Sequence, residues 1–200
     1  MSLRTIRFAL WGAVALVGIC VGLFLLFSKP AEAPIGEVRT TTFQESIGGD
    51  WDLVGADGEP FTNADLEGRP HAVFFGFTHC PDICPNTLSR LARLRQDLGE
   101  DAFDIVFITV DPERDGPEEV GKYAELFGTP IIGLTGSQDQ IDAVKRQYLV
   151  VSEKVAQGDS YTVDHTSNVF LFDADGKFTV TISPEEGREP ALEKLRRIAA

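Results

Sequence analysis

The stretch Ala72-Val73-Phe74-Phe75-Gly76-Phe77-Thr78-His79-Cys80-Pro81-Asp82-Ile83-Cys84-Pro85-Asn86-Thr87-Leu88 decides how this chain folds. Its opening residues, Ala72 to Phe75, are an apolar run of strand length, rich in strand-forming side chains. Beyond it Leu88, Leu91, Leu94 and Leu98 fall on or near one face of a helix. Two cysteines therefore sit where a buried strand turns into a helix, and Pro85 suits the first helical turn, where its missing N–H costs nothing. Unpaired N–H groups and the helix dipole favour negative charge at that point, so both thiols are expected to ionise more readily than free cysteine. Three residues separate the cysteines, and in helical geometry that spacing stacks i and i+4 on one face. Sulfurs so placed can close a disulfide or share one soft metal ion, and the motif alone leaves both open.

Working outward, Trp51–Val54, Asp57-Gly58 and Phe61-Thr62 predict a small hairpin, and Asn63–Gly68 a short turn before a strand at Ala72–Phe77. The cysteine helix should stop at Gly99. Phe103–Val110 reads as a second buried strand, parallel to the first. A loop, Asp111–Asp115, follows at its carboxyl end, and Pro117 opens a helix through Phe127. Ile131–Leu134 predicts a third strand, and Ser137 caps a helix to about Tyr148. Val163–Phe172 and Lys177–Ile182 flank Asp173-Ala174-Asp175-Gly176, a hairpin signal, and Glu189–Ala199 closes the chain as an amphipathic helix. Strands alternating with helices, then a late hairpin, describe an α/β sandwich around a mixed sheet, with the cysteines at the carboxyl edge where such sheets carry their sites.

Two hundred residues suggest one such domain and something extra. Phe8–Phe27 is an unbroken apolar run of twenty residues, the length of a membrane-crossing helix. A cleaved signal has a shorter core; Ala31-Glu32-Ala33 mimics a cleavage site, but Pro34 follows it directly. Ile19 before Cys20 is larger than a lipoprotein signal expects. The expected organisation is a cytoplasmic amino terminus at 1–7, an anchor at 8–27, a linker at 28–42 and the domain at 43–200. Arg4 and Arg7 precede the span, which keeps that end inside and turns the domain outward. Without an Arg/Ser-rich transit peptide, the bacterial inner membrane facing the periplasm is the expected location. Beyond Lys29, fifteen basic residues meet thirty-one acidic ones, a net of −16, so the domain offers no basic footprint for nucleic acid.

Cysteine is sparse. Cys20 falls in the apolar run, leaving one local pair, Cys80 and Cys84. A loop that short constrains the unfolded chain little, so the pair reads as chemical rather than structural. Of three histidines, His71 reads as a surface or edge residue, His79 abuts Cys80, and His165 precedes an apolar strand.

The segment Gly76–Leu88, followed by Val110-Asp111-Pro112-Glu113-Arg114-Asp115 and then Val163-Asp164-His165-Thr166-Ser167, resembles the Sco/SenC family of copper-binding thioredoxin-like proteins. The resemblance runs from roughly residue 43 to the end. It implies a thioredoxin-like mixed sheet flanked by helices, with copper, as Cu(I) and with Cu(II) open, on Cys80, Cys84 and His165. It implies too a membrane-anchored metallochaperone that helps build the binuclear copper centre of cytochrome c oxidase. Its partners would be the oxidase subunit bearing that centre and an upstream periplasmic copper donor. His79 departs from the family, where an apolar aromatic is more usual.

Two thiolates and an imidazole make a soft site suited to Cu(I), whereas structural zinc normally wants a fourth ligand, which Asp82, Asp164 or His79 could supply. Asp164 is otherwise a candidate to orient His165, Asp82 to answer the helix dipole, and Asp111 belongs to the acidic loop that the family shares. The competing reading is a thiol–disulfide oxidoreductase with Cys80–Cys84 as its redox-active disulfide. The usual motif for that has two residues between the cysteines, and it leaves His165 without a task.

Overall fold

The apolar stretch ahead of the cysteines becomes an interior strand of a seven-stranded mixed sheet in the computed structural model, which describes residue 11 and residues 47–200. The elements in order are β1 (Asp52–Gly55), β2 (Pro60–Thr62), a 3-10 turn (Asn63–Leu66), β3 (His71–Gly76), α1 (Ile83–Leu98), β4 (Asp104–Thr109), α2 (Pro117–Glu125), β5 (Ile132–Thr135), α3 (Gln138–Gln147), β6 (Ser152–Gln157), β7 (Ser160–His165), β8 (Val169–Phe172), β9 (Phe178–Ile182) and α4 (Arg188–Ile198). The large sheet runs β2-β1-β5-β4-β3-β8-β9, with β3, β4 and β5 parallel and the other pairs antiparallel. This is the expected α/β architecture.

Local chemistry accounts for most of it. Every residue of β3 is buried, as a strand covered on both faces requires, and its Phe74 and Phe75 pair in register with Phe107 and Ile108 of β4. Helix α1 buries Cys84, Leu88, Leu91 and Leu94 on one face. It stops at Gly99, whose φ of +114° ends the helix and whose N–H bonds the Arg95 carbonyl. Ser137 caps α3 by accepting the Gln140 N–H, while the Gln140 side chain returns to the Ser137 backbone.

Three expectations need correction. The run Val163–Phe172 is not one strand: it breaks at 166–168 into β7, which leaves the main sheet, and β8, which pairs with β9 across the predicted Asp173–Gly176 turn. β7 pairs instead with β6, an unpredicted strand, in a separate two-stranded hairpin. β6 is almost wholly exposed, so its Ser, Glu, Lys and Gln residues never alternate with apolar ones and leave no period to read. His71 is not at the surface. It is buried, stacks on Phe172 at 4.9 Å and contacts the Arg69 carbonyl through Nδ1, and burial lowers its pKa.

The expected span at 8–27 lies outside the described residues, apart from Trp11, a helical residue with an exposed side chain. No helix among the described residues is long and apolar enough to cross a membrane.

Candidate metal centre

The loop between β3 and α1 carries Cys80, and the first turn of α1 carries Cys84. The i, i+4 stacking expected from the spacing does not arise, because the helix begins only at Ile83 and Cys80 lies in the turn before it. The Cys80 N–H bonds the Phe77 carbonyl at 3.2 Å, and its sulfur accepts the Cys84 N–H at 3.4 Å. Sulfur thus answers one of the free N–H groups at the helix start, a task that no Asp82 side-chain bond performs. Cys84 is fully buried and Cys80 partly so. Gly76 makes room for this: a Cβ there would stand 2.9 Å from Cys84 Sγ and 3.0 Å from both Phe107 and Phe74.

The two thiols do not ionise alike, which corrects the expectation drawn for both. The hydrogen bond from the Cys84 thiol brings Cys80 down to about 4 despite partial burial, helped by the backbone N–H groups of Asp82 and Cys84. The same bond, with burial added, pushes Cys84 up well above its ordinary value. One proton shared between two sulfurs favours a single thiolate. In the reduced, metal-free protein at about pH 6, alkylation should therefore modify Cys80 and spare Cys84, checked by peptide mass mapping. Equal labelling of both, or of Cys84 alone, would contradict this assignment.

His165 ends β7 and turns towards the cysteines. Its Nδ1 lies 3.0 Å from the Thr166 carbonyl, which has no proton to give, so Nδ1–H donates and Nε2 keeps its lone pair. Nε2 stands 3.5 Å from Cys84 Sγ. Phe74 and Phe77 stand steeply inclined to the ring, with centroids at 6.2 and 5.8 Å, and surround it with hydrocarbon. The ligating atoms of Cys80, Cys84 and His165 all lie within 4.8 Å of one another. Two ligands of one ion bonded at about 2.0–2.3 Å are at most about 4.6 Å apart, so only a slight contraction closes the trio on a metal. Two sulfurs and one imidazole suit a soft ion.

The other sequence candidates stand elsewhere. Asp82 is exposed and accepts from the Asn86 amide at 2.6 Å. Asp164 is exposed, and the orienting bond to His165 comes from the Thr166 carbonyl instead, because neighbouring residues on a strand face opposite ways. His79 is half exposed and faces Thr78 Oγ1 and Asp115 rather than the sulfurs. Asp111 is buried away from the sulfurs, accepting from Arg114 Nε at 2.5 Å and the Tyr161 hydroxyl at 2.9 Å.

Asp115, which the sequence presents only as one end of the acidic loop, is fully buried. It accepts from the Thr78 N–H at 2.8 Å and the hydroxyls of Thr78 and Thr109 at 2.6 Å each. That ties the cysteine loop to β4. The Asp111–Asp115 segment was visible as an acidic loop, but only folding reveals that its two ends grip different neighbours.

The SCO1/SenC family model matches residues 39–200, more than half the chain. The chain belongs to the SCO1/SenC family. It is 37% identical to a SCO2-like protein of Rickettsia felis over 181 residues, covering 86% of this chain and 88% of that one. Among solved structures it resembles copper-bound ScoI of Bradyrhizobium japonicum with a TM-score of 0.70 and 37% identity, covering 76% of this chain and 99% of that one. It likewise resembles copper-bound yeast Sco1 with a TM-score of 0.69 and 32% identity, covering 76% and 87%. The region shared with this family holds Cys80, Cys84 and His165, residues that lie 85 apart in sequence and meet only once β7 folds back.

Proposed function

We propose that this domain is a copper carrier that holds Cu(I) on Cys80, Cys84 and His165. It delivers the ion to the thiol-bearing subunit of cytochrome c oxidase during assembly of the binuclear copper centre. The observation that carries this reading is the convergence of two sulfurs and a bare imidazole nitrogen within 4.8 Å. The copper-bound ScoI and Sco1 relatives support it. The apolar run at 8–27, with arginines before it, supports an anchor in the bacterial inner membrane and a domain facing the periplasm. A periplasmic copper donor upstream completes the route.

The site suits a cargo that must leave again. Cys80 is partly exposed and lines a cleft of about 300 Å³ with Phe77, Pro81, Ile83, Val163 and His165, so an incoming thiol can reach the metal-facing sulfur. Three ligands leave room for that thiol to bind before one of them departs. The test is copper content of the reduced domain. Wild-type protein should retain about one copper per chain, and Cys84→Ser should retain none after desalting. Equal retention by both would overturn the reading.

Binding also has a predictable pH dependence. Cys80 is already a thiolate above about pH 4, whereas Cys84 keeps its proton through neutrality and must release it to the metal. One proton released per copper bound makes apparent affinity rise about tenfold per pH unit between roughly pH 7 and 9. Competition against a Cu(I) chelator of known pH response measures the slope, and a flat profile would show that no such proton is displaced.

A second reading, thiol–disulfide exchange with a partner's cysteines, is favoured by one observation: a partly exposed sulfur stands in front of a fully buried one. The lowered pKa of Cys80 limits it, because a thiolate of such low pKa is an intrinsically weak nucleophile. Turnover of a model disulfide by the metal-free domain, lost in Cys80→Ser, would establish it.

A further inference from the structure

The side chain that completes the metal site rides on a hairpin that stands outside the main sheet. Strands β6 and β7 form their own two-stranded sheet, β6 is almost wholly exposed, and no ladder bonds join the pair to the main sheet. A hairpin of that kind is marginally stable alone in water. At its base the Thr166 N–H bonds the Val151 carbonyl at 3.0 Å and the Thr166 hydroxyl accepts from the Val151 N–H at 3.1 Å, which closes the hairpin on itself, and of its residues Val163 alone is buried in the core. Something must hold the far side if His165 is to stay near the sulfurs.

The Asp111–Asp115 loop supplies it. Arg114 donates from Nε to Asp111 Oδ2 at 2.5 Å and from Nη1 to the Tyr161 carbonyl of β7 at 3.1 Å. Its guanidinium also lies over the Tyr161 ring at 3.8 Å and near the Phe77 ring at 5.9 Å. The Tyr161 hydroxyl closes the circuit on Asp111 Oδ1 at 2.9 Å. Lys154 of β6 adds an outer tie to Glu113 at 2.6 Å, but both partners are largely exposed and that pair is worth little. The other end of the loop, Asp115, grips Thr78 beside the cysteine turn. One short loop thus holds both arms of the site.

We propose that Arg114 is a positioning residue for His165: with Asp111 and Tyr161 it locks the β6–β7 hairpin to the body of the domain and so sets the distance between the imidazole and the sulfurs. The planar fork is essential, since it must meet a carboxylate and a carbonyl while stacking on a ring, which a lysine ammonium cannot do. This inference rests on the copper-carrier reading, because the distance it controls matters only if His165 is a ligand.

The test compares Cu(I) affinity, by chelator competition on reduced protein, across Arg114→Gln, Arg114→Lys, Tyr161→Phe, His165→Ala and the double variant Arg114→Gln/His165→Ala. Arg114→Gln and Arg114→Lys should each bind about 10- to 100-fold more weakly, the range for a lost outer partner of a ligand. Tyr161→Phe, which keeps the ring and loses only the hydroxyl, should shift the same way by less and guards against a misfolded Arg114 variant. The double variant should bind no more weakly than His165→Ala alone, since Arg114 acts through that ring. In the metal-free protein, amide exchange should quicken in β6 and β7 while β3 and β4 stay protected. If His165→Ala weakens binding but the Arg114 variants bind as wild type, the positioning role is wrong and the carrier reading stands. Additive losses in the double variant would likewise reduce Arg114 to a general structural contact. If His165→Ala binds as tightly as wild type, the carrier site is misassigned and the positioning role falls with it.

Discussion

Replacing His165 by Ala should weaken Cu(I) binding by more than the roughly 10- to 100-fold typical of losing an outer partner, because on the proposed reading it removes a ligand itself. The remaining sulfurs still face each other, so disulfide formation between Cys80 and Cys84 should persist. This split separates the metal site from the dithiol. Only the metal needs Nε2, which the Thr166 carbonyl holds in its acceptor form 3.5 Å from Cys84 Sγ. Stability should change little, as the ring is partly exposed and its aromatic neighbours are Phe74 and Phe77, which have other core contacts. Chelator competition and thiol titration on the same sample would read both halves. A variant that lost copper and disulfide together would point to a collapsed loop rather than a missing ligand.

Asp115→Ala should be the most damaging single change to the fold near the site, at roughly 3–5 kcal/mol. The carboxylate accepts from the Thr78 N–H and two hydroxyls within 2.8 Å, with no solvent exposure. Truncation leaves the buried Thr109 hydroxyl and the part-buried Thr78 N–H without their acceptor, each costing about 1–3 kcal/mol. The Lys122–Glu118 pair, in contrast, is exposed by more than 70% on both sides, and breaking it should leave stability nearly unchanged. Denaturant unfolding of the two variants compares them directly. Equal stabilities would mean that water reaches the Asp115 pocket and replaces the lost acceptor.

Elements that bury an apolar face were legible before any coordinates. The runs at β3 and β4, the leucine face of α1, the stop at Gly99 and the cap at Ser137 all declare themselves through period and terminal chemistry. The Asp173–Gly176 turn did so as well. What stayed hidden was held by contacts distant in sequence. The β6–β7 hairpin buries a single apolar side chain, Val163, too little to show as a period, and is fastened by Arg114 to a loop 47 residues away. Hence His165 read as the start of a long strand rather than the tip of a separate arm.

Chemistry at the cysteines was half legible for the same reason. Placement at a helix start correctly favours a thiolate, but it cannot say which sulfur receives the charge. The hydrogen bond between the two sulfurs decides that, together with the deeper burial of Cys84: Cys84 packs under Gly76 with no exposure and keeps its proton, while Cys80, at the rim, gives its proton up. Likewise the acidic residues beside the motif suggested partners for the imidazole, yet a backbone carbonyl that any residue would supply fulfils that role.

The central claim is that one soft ion sits among two sulfurs and one imidazole nitrogen. X-ray absorption at the copper edge of the reduced, Cu(I)-loaded domain tests it most directly, since sulfur and nitrogen neighbours scatter at different distances. The account predicts two sulfurs and one imidazole nitrogen per copper, with the nitrogen signal gone in His165→Ala. A coordination shell of sulfur alone in the wild-type protein, unchanged in that variant, would contradict it.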